Sequence, residues 1–274
     1  MTSEPAPGTP LYDVHTHVLF DIDDGASDER MALDMLRLAS ERGVTGVVAT
    51  PHSQDVRERG GMPTLEDRLE RTRALLREAG IPIELLPGME VHLMPDVPEL
   101  LGSGDYIPLN GTHYVLVEFD FVQWASFTDE VLFQISLDGY VPLLAHVERI
   151  GPVQEHPELI EELVRRGCFA QVTAASLLGT FGKRARRTAE VLIERGCVHV
   201  IASDAHRPEG KREPLLAAAC DRLVELAGEA AAEAALYANP AAVVRDEPLS
   251  PIEPQPRRRR RWWFGPKSKQ RASA

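Results

Sequence analysis

Residues 41–52 read ERGVTGVVATPH, and the order of residue types in that stretch decides the fold. A charged helical end stops at Gly43, a run of small and branched apolar residues follows, and the run closes on His52. Glycine past a helix C-terminus supplies the left-handed turn that ends it, and an unbroken Val-rich run suits a strand buried on both faces. The junction recurs as DGYVPLLAH at 138–146, RRGCFAQVT at 165–173 and ERGCVHVIAS at 194–203. Repetition of this kind marks βα units and a parallel sheet.

Working outward, strands are expected at 11–17, 44–50, 81–86, 113–119, 141–145, 168–173 and 197–203. Helical spacing fills the intervals: Leu65, Leu69 and Leu76 follow Thr64, an expected N-cap with Asp67 three residues on. PELIEELVRRG is a second such helix, starting at Pro157 and stopping at Gly167. Seven strands are one short of the usual eight-fold barrel. Metal-competent side chains end six of the seven, which a TIM-like α/β barrel explains by gathering them at one rim. The rival, a doubly wound open sheet, would offer only a switch point between few strands.

The chain has 274 residues, 43% of them hydrophobic, which suits one large α/β domain, placed at 11–248. A leader at 1–10 and a Pro/Arg/Trp-rich basic tail at 249–274 are expected to be disordered. No run approaches a membrane span, so the expected location is cytoplasmic. Net charge is −12, yet Arg257 to Arg261, Lys267, Lys269 and Arg271 lie in an end without acids. Without those eight positive charges the remainder carries −20, which disfavours nucleic acid as the main ligand. Cys168, Cys197 and Cys220 are odd in number and lack CxxC spacing, so reduced, buried thiols are expected. The RRRRRWWFGPKSKQR tail suits an anionic membrane surface, with nucleic acid, the acidic body and disorder left open.

The chemistry-bearing residues are His15 and His17 in DVHTH, Asp24 in DIDDG, His52, Glu90 in LLPGMEVH, Glu118 in YVLVEF, His146, and Asp204 with His206 in VIASDAH. Alternation on a strand points both imidazoles of HxH to one side, where they can share an ion. Glu118 lies in an apolar run where an unpaired carboxylate would be costly, and metal ligation relieves that cost. Nine donors exceed the about four to six that fill one shell, so two or three divalent ions are expected. Mixed imidazole and carboxylate donors suit manganese, iron(II) or zinc. Arg149, three residues after His146, could hold a phosphate bidentately, or pair at the surface with Glu148. DIDDG is not a calcium loop, because the twelfth position counted from Asp21 is Ala32; Asp21 and Asp23 read as loop or capping acids.

Other routes to hydrolysis are excluded. A cysteine phosphatase needs Arg six residues after its Cys, where this chain has Ala174, Ser203 and Leu226. The lysines, Lys183, Lys211, Lys267 and Lys269, end no strand and so offer no carbamylated bridge, and GxSxG is absent.

DVHTHVLFDIDDG, VVATPH, PGMEV, VEF, AHVERI, QVTAASLLGTFG and VHVIASDAH, in this order and followed by YANPAAVVRDEPL, resemble the polymerase and histidinol phosphatase (PHP) superfamily. Within it the chain is most similar to bacterial manganese-dependent protein-tyrosine phosphatases of capsule and exopolysaccharide operons, over about residues 11–245. The resemblance implies a distorted (β/α)7 barrel and a trinuclear metal centre on the nine donors. It also implies Arg149, Asp24 and His206 as catalytic residues, and an autophosphorylated bacterial tyrosine kinase as partner. Ser53, where relatives often carry a second His or a basic residue, and the QDVRERGG loop after it depart from the pattern and bear on substrate preference. A small-molecule phosphoesterase of the histidinol-phosphate type and a non-catalytic kinase-binding module are the alternatives.

Overall fold

The computed structural model describes residues 9–253, and all of the strand pairing in that span is parallel. One sheet has the order β1 (Tyr12–Thr16), β2 (Gly46–Ala49), β3 (Glu84–Pro87). The second runs β4 (Glu90–His92), β5 (Tyr114–Glu118), β6 (Val141–Leu144), β7 (Phe169–Thr173), β8 (Val200–Ala202). β3 and β4 are halves of one stave broken at Gly88–Met89: β3 pairs with β2, and β4 with β5. A Cβ at Gly88 would stand 2.8 Å from Val48 Cγ1, so the chain can change neighbours there only without a side chain. Seven staves result, and the run read as a strand at 81–86 hides the second half at 90–92.

Two seams turn the sheets into a ring. A parallel bridge joins His52 to Glu90, and another joins Thr16 to Ala205. At the second seam His17 N donates to Ala205 O at 2.8 Å and Asp204 N to His15 O at 2.9 Å. Deeper down, buried Asp13 accepts from Ser203 N at 3.0 Å, fastening β1 to β8 by a side chain. This closure rules out the open doubly wound sheet and gives the distorted barrel its irregular rim.

Barrel strands are buried on both faces, with Val48, Ala49, Val115, Leu116, Leu143 and Leu144 wholly enclosed. Amphipathic helices cover them: Glu29–Glu41 buries Ala32, Met35, Leu36 and Ala39, and Asp28 Oδ1 caps its start by accepting from Met31 N at 2.9 Å. The four junction glycines, Gly43, Gly139, Gly167 and Gly196, all have positive φ, as their helix-stop role requires. Thr64 is not an N-cap. Helix Met62–Ala79 begins earlier, with Pro63 in its first turn, and the Thr64 hydroxyl donates to Arg59 O. Nor is the stretch after His52 a loop throughout, since Ser53–Glu58 is helical.

The fold continues past residue 248. Leu249 and Ile252 are buried, and Ser250 N donates to Asn239 Oδ1 at 2.8 Å. The expected leader, apart from residues 9 and 10, and the Arg/Trp part of the tail lie outside the described residues. Among the described residues no helix is long and apolar enough to cross a membrane.

Candidate metal centre

All nine donors predicted from the sequence meet at the C-terminal rim of the barrel. They fall into overlapping groups whose ligand atoms lie within 4.8 Å of one another: His15, His17 and Asp204; His15, Glu90 and His146; His52, Glu90 and Glu118; His17, Asp24, His52 and His206. Glu90 joins two of these groups from the start of β4, where the broken stave aims it inward. Its Oε2 lies 3.2 Å from both His15 Nε2 and His17 Nε2 and 3.1 Å from His52 Nδ1, while Oε1 is 2.8 Å from His146 Nε2. Glu118 Oε1 is 3.5 Å from His146 Nε2, and Asp204 Oδ1 stands 3.5 and 3.6 Å from the His15 and His17 nitrogens. Asp24, with 60% of its side chain exposed, sits at the mouth, 3.0 Å from His206 Nε2 and 3.4 Å from His52 Nε2.

The hydrogen bonds around these rings decide which nitrogens face inward. Gln171 Oε1 accepts from the His146 backbone N–H at 2.9 Å, so the oxygen assignment is fixed and His15 Nδ1, 3.1 Å away, must donate to it. Asp23 Oδ2 accepts from His17 Nδ1 at 2.7 Å, and Asp204 O accepts from His206 Nδ1 at 3.0 Å. When these three rings are neutral, as ligation of a metal requires, the inward Nε2 of each is therefore a bare lone pair. The lone pairs of His15 and His17 face each other at 3.3 Å, and that of His206 faces a carboxylate. Glu90 Oε2 and His206 Nε2 are buried without a hydrogen-bond partner. Acceptors confronting acceptors in a buried site require cations between them. Two donors about 2.1 Å from an ion at right angles would stand about 3.0 Å apart, close to the spacing seen. The set thus fits divalent ions.

Protons answer the same demand. Burial alone would lower His17, but Asp23 and Glu90 outweigh it and raise its pKa to about 9. His52 is likewise raised to about 11 against burial, by Asp24 and Glu90. His206 goes the other way, to about 4, through burial and the nearby His17 charge. Burial would raise Glu90, yet His15 and His146 hold it well below the usual carboxylate range.

Arg149 does not pair with Glu148, which is buried and accepts from Ser176 Oγ and Thr173 N. Instead Arg149 Nη1 donates to Asp204 Oδ2 at 2.5 Å. Arg212, which sequence reasoning missed, donates to both Asp204 oxygens at 3.0 and 3.2 Å and to Asp24 Oδ2 at 3.2 Å. Two guanidinium groups therefore border the donor cluster. Asp23, expected to be a loop or capping acid, in fact orients His17 and also accepts from His52 N and Gly25 N. Its only sequence signal was a carboxylate six residues beyond a donor histidine. Asp21 does stay outside the centre, paired with Arg59 and Arg68. Of the other histidines, His92 borders Glu118 at 3.6 Å, whereas His113 and His156 pair with surface acids and His199 is a buried ring.

Comparison with known proteins agrees with this architecture. The family model described as capsular polysaccharide synthesis, CpsB/CapC, matches residues 11–245. The chain is 33% identical over 196 residues to tyrosine-protein phosphatase YwqE of Bacillus subtilis (strain 168), covering 72% of this chain and 77% of that protein. It is 26% identical over 246 residues to tyrosine-protein phosphatase CpsB of Streptococcus pneumoniae, covering 86% and 99%. A crystal structure from the pair YwqE and CpsB, described as unique metal-dependent tyrosine phosphatases, superposes with a TM-score of 0.83 at 30% identity, covering 89% of this chain and 98% of that one.

Proposed function

The chain belongs to the CpsB/CapC family of capsular polysaccharide synthesis, and on that premise we propose that it is a metal-dependent, cysteine-independent protein-tyrosine phosphatase. The observation that carries this reading is the convergence of nine donors beside two arginines, with three of the histidine rings tied through Nδ1 so that Nε2 faces inward. The nine are its metal ligands, for two to three ions, manganese before iron(II) or zinc. Its substrate is the phosphotyrosine of a bacterial kinase that governs polysaccharide export, met in the cytoplasm near the membrane face.

Divalent ions in such a site polarise phosphoryl oxygens and acidify water. The chain's own groups do the rest. Gln171 and Asp23 hold the His15 and His17 rings in one tautomer, so their lone pairs stay aimed inward without reorganisation. Arg149 and Arg212, held beside the cluster by Asp204, offer their remaining N–H groups to the phosphoryl oxygens. Asp24 lies at the mouth, where protons pass between water and the site, with the buried His206 ring directly behind it. Water oxygen forms the new P–O bond, the bond to the tyrosine oxygen breaks, and one water proton ends on the released phenol. Tyrosine, with a pKa of about 10, leaves without the strong general acid that a serine alkoxide requires.

The test is turnover of a phosphotyrosine peptide, a phosphoserine peptide and histidinol phosphate by metal-stripped protein, with and without manganese. Manganese-dependent turnover chiefly of the phosphotyrosine peptide is expected. Preference for histidinol phosphate would make the protein a metabolic phosphatase, and no turnover would leave a kinase-binding module. Iodoacetamide is expected to leave activity intact, because burial pushes Cys168 up to about 12 and Cys197 to about 11 and no cysteine joins the donor groups.

A further inference from the structure

Arg149 is flanked by two aromatic rings outside the donor set and the barrel core, of which Phe121 also packs beside the donor His146, ring centroids 5.1 Å apart. Its guanidinium carbon lies 4.7 Å from the Phe121 ring centroid and 4.5 Å from that of Phe181. The sheet order explains why. Arg149 follows β6, Phe121 follows β5 and Phe181 follows β7, so the staves on either side of the arginine each contribute one ring.

Each ring is held by its own backbone. Gly151 N, two residues after Arg149, donates to Phe121 O at 2.7 Å, and a Cβ on Gly151 would stand 3.1 Å from that oxygen. The loop bearing Phe121 is tightened further by Asp120 Oδ1, which accepts from Val122 N and Gln123 N at 2.7 Å each, and by Trp124 stacked on Phe119. Phe181 sits between Gly179 and Gly182, both at positive φ, with Gly182 N donating to Gly179 O. Phe121 is 37% exposed, so the face of Arg149 that it covers lies at the edge of the site, next to solvent.

We propose that Phe121 and Phe181 are positioning residues that act through Arg149. Together with the bond from Nη1 to Asp204 Oδ2, their π faces hold the guanidinium in one orientation at the edge of the donor cluster, where its remaining N–H groups meet the phosphoryl group. This rests on the phosphatase reading above and adds to it the groups that make Arg149 a preformed clamp.

The test uses the full chain loaded with manganese and inorganic phosphate as ligand, with calorimetry for Kd and metal analysis for manganese content. Phe121→Leu and Phe181→Leu are each expected to weaken phosphate about 3- to 30-fold, the ratio one cation–π contact supplies, with manganese content unchanged. Phe181→Tyr, which keeps the π face, is expected to bind as wild type. Phe181→Met, similar in volume but without that face, stands in if the leucine variant does not fold, and is expected to weaken binding equally. In an Arg149→Ala background the same substitutions are expected to add nothing. Wild-type affinity in the leucine or methionine variants, or an undiminished effect without Arg149, overturns the proposal. Wild-type protein that loads manganese but neither binds phosphate nor hydrolyses phosphotyrosine overturns the phosphatase reading itself.

Discussion

Asp23 illustrates how single side chains set this centre without being among its donors. One carboxylate fixes the His17 tautomer and ties the His52 and Gly25 backbone N–H groups to the same point. Asp23→Asn keeps the shape but removes the charge that holds the ring. It is expected to weaken manganese affinity about 10- to 100-fold with the fold intact, as for other residues that orient metal-bound histidines. Equilibrium dialysis measures this, and unchanged affinity would show that Asp23 only caps its loop. The residue was not legible in sequence because Asp21, Asp23 and Asp24 crowd one short stretch and only folding separates their roles: Asp21 to Arg59, Asp23 to His17, Asp24 to the mouth. Arg212 escaped notice for a similar reason, since GKRE reads like any solvated charged turn.

Among the elements, two of the strand-to-helix loops carry strain at the donor cluster. His146 and Asp204, two residues past the ends of β6 and β8, have φ of +32° and +53°, a region that costs a non-glycine residue about 1–3 kcal/mol. In both cases the turned backbone brings the side chain into the donor cluster. The loop after β1 instead folds back by close contact: Ala26 N donates to His17 O, and a Cβ at Gly25 would lie 2.2 Å from that same oxygen. Gly25→Ala must therefore push the loop off His17. Overpacking of this kind costs about 1–3 kcal/mol, a Tm lowered by roughly 2–10 °C, and manganese affinity is expected to fall with it. Thermal unfolding with and without manganese checks both; a wild-type Tm would mean the loop yields without cost.

For the whole molecule, the centre joins stability to pH and metal in opposite senses. In metal-free protein the His17 pKa is raised to about 9 and that of His52 to about 11, above the about 6.5 of an unfolded chain. Raised histidines contribute stability that is complete below pH 6.5 and lost as pH climbs through the folded values. His206, lowered to about 4, contributes stability that is lost as pH falls from 6.5 toward 4. The Tm of metal-free protein is thus expected to peak near pH 6.5 and decline toward pH 9. Manganese must displace the His17 and His52 protons, so its stabilisation is expected to grow over the same interval. Scanning fluorimetry at fixed manganese from pH 6 to 9 reads both trends, and a metal-free Tm that rises across this range would contradict the cationic state of His17.

By itself the sequence determined the repeating βα units, their parallel sense and which side chains end the strands, because glycine stops, apolar runs and the residues closing them are local properties of a chain. Only the tertiary structure decided the break at Gly88–Met89, the seam between β1 and β8, the sharing of Glu90 between donor groups and the pairing of Arg149 with Asp204 rather than Glu148. Those outcomes depend on closing a ring of seven staves, which sets distances between residues as far apart as His15 and Asp204, and no local pattern encodes such a distance.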